Sequence, residues 1–417
     1  MGGALIMGIS SGLNFYGFST FFAALSTEFG WSRAILSGVF ALSRLEGGVL
    51  GPVEGLLIDK LGARKMMLVG ITLMGIGFIL LSRVHTILSL YMVYILGISF
   101  GAGLGSFAPV TATVANWFVK KRTRALGIVM SSNGLGGAAL LPVLGWWVAT
   151  YGWRNAAVWS GLLVLALGLP VALLMRHKPQ QYGYLPDGAI PLNDKGSTIG
   201  EPETADGKSS VDEEFEFGPI QSLKTSAFWF LSLANALRAM VTTGFTLHFV
   251  VMMVERGFSL PVASSMLGAV ALLSGLGRLG VAWIGDMVNK KNLLFAATVV
   301  VTVAMLGFSQ AQSNLALYML IVIYSIAYGG TIVLPVALQA DYFGTRAFAT
   351  IRGLQQAVAT VGLFIGPIFG GVVYDITGTY SIAFLGFAAA GFLSMLLVLG
   401  IRRPTIPHAL PLNVLEA

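Results

Sequence analysis

Twelve apolar runs of about 20 residues follow one another along the chain, the length a helix needs to cross a bilayer. They lie near 4–26, 33–57, 66–83, 87–115, 125–149, 155–175, 227–254, 262–284, 292–310, 315–340, 350–374 and 380–401. The runs are continuous rather than alternating, so they predict helices and exclude a lipid-facing barrel. Composition agrees: 56% of the 417 residues are hydrophobic and only 10% charged, where a soluble domain carries about a quarter charged. The expected fold is an all-α membrane protein. The first residues, MGGALIMGISSG, show no basic stretch and no small-residue cleavage site, and read as a retained first span.

The net charge of +7 sits in short loops between the runs, so it reports topology rather than a patch for nucleic acid. With both termini taken as cytoplasmic, 18 of the 25 basic residues fall on the inner side. Four fall outside, Arg33, Arg83, Arg154 and Arg256, and three lie within spans, Arg44, Arg238 and Arg278. This asymmetry satisfies the positive-inside rule. With no cysteine and four scattered histidines, neither a disulfide nor a metal site is expected. No nucleophile and base set or phosphate-binding loop appears, so neither an enzyme nor a cofactor is expected.

Residues 176–226 change character to Pro, Gly, Asp, Glu, Lys and Ser, as in Asp212-Glu213-Glu214, and predict a flexible cytoplasmic linker. It divides the chain into six-span halves, 1–175 and 227–417. The halves repeat. Glu28-Phe29-Gly30-Trp31-Ser32 returns as Glu255-Arg256-Gly257-Phe258-Ser259, Gly55 to Asp59 has a counterpart at Gly285-Asp286, and Trp117-Phe118, Pro142 and Gly145 match Tyr342-Phe343, Pro367 and Gly370. The offsets are 227, 227 and 225 residues. With an even number of spans per copy, the halves are parallel and related by an axis along the membrane normal, which places a substrate between them at mid-depth.

The most informative single residue is Arg278, in GAVALLSGLGRLGVAWIGDMVNKK at 268–291. A guanidinium keeps its proton, and at bilayer depth it costs several kcal/mol unless an anion or a cavity accepts it. Its planar fork suits a carboxylate held by two parallel hydrogen bonds, which points to an organic acid ligand. The bland reading is an ion pair with an acid on a neighbouring helix, such as Glu46.

Gly55-Leu56-Leu57-Ile58-Asp59-Lys60-Leu61-Gly62-Ala63-Arg64-Lys65 resembles the major facilitator superfamily signature, with one leucine shifted to Ile58 when Asp59 is aligned. The resemblance implies two six-helix bundles that rock about the substrate, with Asp59, Arg64, Lys65 and the half-repeated Asp286 as gate residues. Asn116-Trp117-Phe118-Val119-Lys120-Lys121-Arg122 is similar to a monocarboxylate transporter pattern. Arg278 falls where that family and the related oxalate–formate antiporters place a substrate arginine. Two departures stand out. Ser274 occupies the place of an aspartate implicated in proton coupling in animal members, and the eleventh span offers Gln355 and Gln356 but no lysine. Without a second cation there, a monoanion suits the site better than a dianion.

His248 either bonds the ligand and carries a proton, since it titrates near neutrality, or bonds a backbone carbonyl. Tyr328, beside Gly329-Gly330, is a ligand donor or an ordinary buried tyrosine. Asn14, Tyr16, Asn116 and Asn133 need partners within the bilayer and line the cavity or join helices. Gly97, Gly101 and Gly105 read as close helix packing. Glu46 is the best-placed acid for a proton, because desolvation favours its neutral form, with counter-ion to an arginine as the rival role.

The expectation is therefore a monomeric secondary transporter in a prokaryotic plasma membrane, carrying a small monocarboxylate such as L-lactate or pyruvate with a proton as coupling ion. Exchange of the oxalate–formate type is the alternative within transport. A transporter-like metabolite sensor is the alternative outside it.

Overall fold

The computed structural model describes residues 1–118, 122–175, 217–285, 287–344 and 347–404. Among them are twelve long helical runs: α1 (2–29), α2 (Arg33–Leu61), α3 (Ala63–Leu81), α4 (87–117), α5 (Arg122–Tyr151), α6 (Trp153–Leu174), α7 (Ser226–Glu255), α8 (Leu260–Gly285), α9 (Lys290–Gln310), α10 (Asn314–Phe343), α11 (Phe348–Thr377) and α12 (Tyr380–Gly400). Ten are long and apolar enough to cross a membrane by length and composition. The other two are α1, which is interrupted by a π-helical turn, and α2, which carries Arg44, Glu46 and Glu54 within its 29 residues. The chain is a multi-pass membrane protein of the architecture its apolar runs predict.

Local chemistry sets the helix ends. Ser32, Thr225, Ser313 and Thr379 accept backbone N–H groups in the first turns of α2, α7, α10 and α12, which satisfies donors the helix itself cannot. α2 and α3 meet at a single residue, Gly62, with φ 85°, and α5 and α6 at Gly152, with φ 82°. Only glycine takes that conformation without strain, so each turn is as tight as the backbone permits.

Within each half, α3 packs on α6 as α9 packs on α12, the arrangement that the internal repeat predicts. Glycines line the α3–α4 contact. Gly101 faces the backbone of Gly70 and Met74, and Gly105 that of Gly70 and Ile71, so the predicted stripe is a packing surface. The halves meet along two seams, α2 with α11 and α5 with α8. Under the repeat these are one contact made twice.

The face bearing the α2–α3 turn is here called the linker face, and the opposite one the far face. On the far face the seams close: a Cβ at Gly145 would lie 2.7 Å from Ser264, and one at Gly371 2.6 Å from the Arg33 carbonyl oxygen. Toward the linker face the same helices part, and Gly127, Gly275, Gly280 and Gly353 have nothing within 4 Å of a Cβ. Most of the predicted linker, 176–216, lies outside the described residues. Its last stretch is packed: Phe217 is buried and donates its N–H to the Phe343 carbonyl at 3.0 Å, and Pro219–Leu223 forms a helical turn ahead of α7.

Candidate functional site

A cavity of about 500 Å³ lies between the halves, lined by α1, α2, α4 and α5 on one side and α8, α10 and α11 on the other. Three π-helical turns contribute to its wall: Ser11–Tyr16 in α1, and Val93–Ser99 and Gly103–Phe107 in α4. Each π turn widens the helix and loosens its ladder, which leaves backbone groups free to bond elsewhere. The Asn14 carbonyl is one of these. The Tyr94 hydroxyl lies 2.9 Å from it and 2.8 Å from the Asn14 side-chain oxygen.

Arg278 stands on this wall. Its position follows from small residues at the α8–α10 crossing, where Gly277 abuts the Ile326 backbone and Gly329 that of Ser274 and Arg278. The close approach brings Tyr328, stacked on Tyr324 at 5.7 Å, into the same wall. From α1, Tyr16 joins the same wall, while the Ser274 hydroxyl, one turn before Arg278, donates to the Ala271 carbonyl at 2.9 Å. Arg278 is half-buried, its Nε is buried without a protein partner, and among the described residues no acid pairs with it. The ion pair with Glu46 is not formed. Glu46 instead accepts from Ser99 at 2.9 Å through Oε2, and its Oε1 is buried without a partner.

Of the residues singled out from sequence, the cavity gathers Arg278, Tyr328, Asn14, Tyr16, Asn133 and Glu46. It also takes in Arg44, Gln356 and Thr360, which sequence reasoning did not assign to it. Arg44 lies over Phe40 at 4.7 Å and Phe15 at 5.2 Å, cation against ring, and so holds its charge at the wall without a full ion pair. Gln356, one of the two eleventh-span glutamines noted in the sequence, lines the wall. Arg238 is not in the wall; its Nε donates to Asn235 at 2.9 Å.

His248 lies off the cavity, in the far-face seam. Its Nε2 is 2.9 Å from the Pro367 carbonyl, which can only accept, so Nε2 carries the hydrogen. Nδ1 then accepts from the Tyr380 hydroxyl at 3.2 Å, which in turn accepts from Arg33 at 2.9 Å. Arg33 also pairs with Glu255 at 2.6 Å and lies 4.3 Å over the Tyr374 ring. The Asp375 carboxylate of α11 caps the first turn of α2, accepting the Arg33 and Ala34 N–H groups at 2.9 and 2.8 Å. Ser19 donates to the Leu247 carbonyl at 2.7 Å, and the Thr20 and Ser264 hydroxyls are 3.0 Å apart. These groups join the halves and seal the far face, and the carbonyl-bonded reading of His248 is the one the geometry matches.

Asn116 ends α4 near the linker face and is not part of the cavity wall. Arg64 and Lys65 lie in the first turn of α3, the lysine exposed. The Asp59 side chain and the whole of Asp286 lie outside what the structure describes.

Helical halves that meet along two seams, with a cavity bearing Arg278 between them, have the architecture of a membrane carrier. The chain belongs to the major facilitator superfamily, whose model matches residues 4–355 and 231–414. It is a membrane transporter, not an enzyme. It is 26% identical over 378 residues to monocarboxylate transporter 13 of Rattus norvegicus, covering 88% of this chain and 80% of that one. To monocarboxylate transporter 1 of Bos taurus it is 25% identical over 383 residues, covering 86% and 74%. Among solved structures, a bacterial homolog of the human lysosomal transporter Spinster, inward-facing and occupied, superposes with a TM-score of 0.70 at 15% identity, covering 95% of this chain and 94% of that one. A variant of the nucleoside transporter NupG gives 0.72 at 15% identity, covering 96% and 99%. These superpositions speak for the fold.

Proposed function

We propose that the protein carries a small monocarboxylate of the lactate or pyruvate type, together with a proton, by rocking of its halves about the central cavity. The observation that carries this reading is Arg278, a guanidinium facing the cavity with no acid of its own and with Tyr16 and Tyr328 in the same wall. A carboxylate on the Arg278 fork supplies the missing anion, and the two phenols donate to its remaining lone pairs. The relatives named monocarboxylate transporters support the same class. Glu46 is the carboxyl in the wall through which a proton enters. The linker face is the cytoplasmic one by the distribution of basic residues, both termini lie there, the membrane is a prokaryotic plasma membrane, and the working unit is a monomer.

Uptake of labelled L-lactate into proteoliposomes, with and without an inward proton gradient, tests the reading, with pyruvate, formate and oxalate as competitors. Gradient-stimulated uptake is expected, and Arg278→Ala is expected to lower it by about 100-fold while thermal stability holds, the loss of a charge-assisted bidentate contact. Normal uptake by Arg278→Ala would refute the assignment. Exchange of the oxalate–formate type is the second reading, favoured by Arg44, which brings a second cation to the same wall. Uptake that appears only against preloaded oxalate or formate would establish it instead.

A further inference from the structure

Glu54 is a carboxyl that the transport reading leaves without a task. It sits on α2 two turns past Glu46, is 5% exposed, and its Oε1 is buried with no protein partner. It points at α4, where Gly103 makes room: any side chain at 103 would run into Glu54 Oε1. Gly103 and Ser99, the residue that binds Glu46, are one turn apart on α4, and both line the cavity. Side chains on a helix lean toward its N-terminus, so Glu54 reaches back toward Glu46, and the two carboxyls meet α4 one turn apart, at Gly103 and Ser99.

We propose that Glu46 and Glu54 form a carboxyl pair that holds a single proton, with Glu54 as its buried seat and Glu46 as the group that exchanges it with the cavity. This rests on the proton-coupled reading above and assigns its proton site. Two carboxylates that meet α4 one turn apart in a poorly hydrated wall ionise together only at a cost, so the pair favours holding one proton. The neighbours decide where it resides. The Ser99 hydroxyl donates to Glu46, a bond that favours its charged form. Each acid has a buried oxygen without a partner, and Glu46 has the Ser99 hydroxyl as donor to its other oxygen, so an ionised Glu54 is the costlier of the two.

Transfer within the pair moves the proton from one carboxyl to the other and keeps the pair's charge at minus one, until Glu46 releases the proton to the cavity. The other charged groups in the wall, among the described residues, are Arg44 and Arg278; the phenols there are Tyr16 and Tyr328, and the Tyr94 hydroxyl is bonded to Asn14. Arg238 is within electrostatic reach of Arg278 but does not line the cavity. With the proton on the pair, the wall carries one net positive charge, which a single carboxylate neutralises. Without it the wall is neutral and the anion loses its electrostatic reason to enter. Proton and monoanion are thereby tied one to one, although two arginines line the site.

Two measurements on reconstituted protein test this. The first is an infrared pH titration that follows the carbonyl stretch of protonated carboxylic acids and needs no substrate. A buried acid band is expected in the parent and is expected to be lost in Glu54→Gln; a band that survives Glu54→Gln overturns the proposal. The second is the ratio of gradient-driven lactate uptake to lactate counterflow, expected to fall about tenfold in Glu54→Gln; an unchanged ratio also overturns it. If the parent carries no lactate, the monocarboxylate reading fails, while the infrared band still decides the pair. Should Glu54→Gln not fold, Glu54→Asp takes its place: a shifted band supports the pair and an unmoved one sinks it.

Discussion

The two ends of the interface between the halves are made by the same helices and are opposites. At the far face, an ion pair from Arg33 to Glu255 ties α2 to α7, the Asp375 cap ties α2 to α11, and a hydrogen-bonded chain runs from Arg33 through Tyr380 and His248 to Pro367. Toward the linker face, α5, α8 and α11 present glycines to open space. Hydrogen bonds lose strength steeply with distance and angle, so a seam built from them either is made or is broken. An apolar seam slides by degrees, whereas this one gives the far face a discrete closed state.

Alanine at two glycines of one helix tests the contrast most sharply. Gly371→Ala drives a methyl into the Arg33 carbonyl and the Ser37 hydroxyl, and is expected to destabilise the far-closed state by about 3 kcal/mol, the upper range for overpacking. Gly353→Ala meets nothing within 4 Å and should stay within about 0.5 kcal/mol of the parent. Thermal unfolding of both in the same detergent measures the difference; equal shifts would mean that the two ends of α11 are packed alike.

Arg33→Ala removes the Glu255 pair and the Tyr380 contact together. A loss of about 2 kcal/mol is expected, close to 30-fold in favour of far-face opening. The chain has no cysteine of its own, so the labelling rate of a thiol introduced by Ser264→Cys, in the buried far seam, reports it directly. An unaltered rate would show that the arginine does not hold the seam. The smallest effect belongs to Asp375→Asn, which weakens the cap on α2 at a cost of about 1 kcal/mol. Faster hydrogen exchange in the first turn of α2 is the expected sign, and unchanged protection would remove Asp375 from the latch.

The fold was legible because hydropathy in a bilayer chooses among so few structures: the predicted span 262–284 and the helix Leu260–Gly285 differ by two residues at one end and one at the other. Arg278 was legible for the same reason, since a cation inside an apolar run has no bland explanation that leaves it unpartnered. Arg44 and Glu54 were harder. They lie in the least apolar span, and which face of a helix looks inward is decided by the neighbours, not by the span. The π turns left no mark, because a turn one residue wider than its neighbours alters neither composition nor periodicity enough to be read. For His248 the sequence left two readings open, chemistry or a carbonyl partner, and the carbonyl of Pro367 and the hydroxyl of Tyr380 occupy both of its nitrogens.

α2 has a consequence for biosynthesis. A charged group at the centre of a span costs about 2.5–3.5 kcal/mol on insertion, and α2 carries Arg44, Glu46 and Glu54. The groups that accommodate them, Phe15 in α1 and Ser99 and Gly103 in α4, belong to helices on either side of it in the chain. The second span thus emerges from the ribosome before half of its own solvent exists, and it becomes a membrane helix only when α4 has arrived to dissolve it.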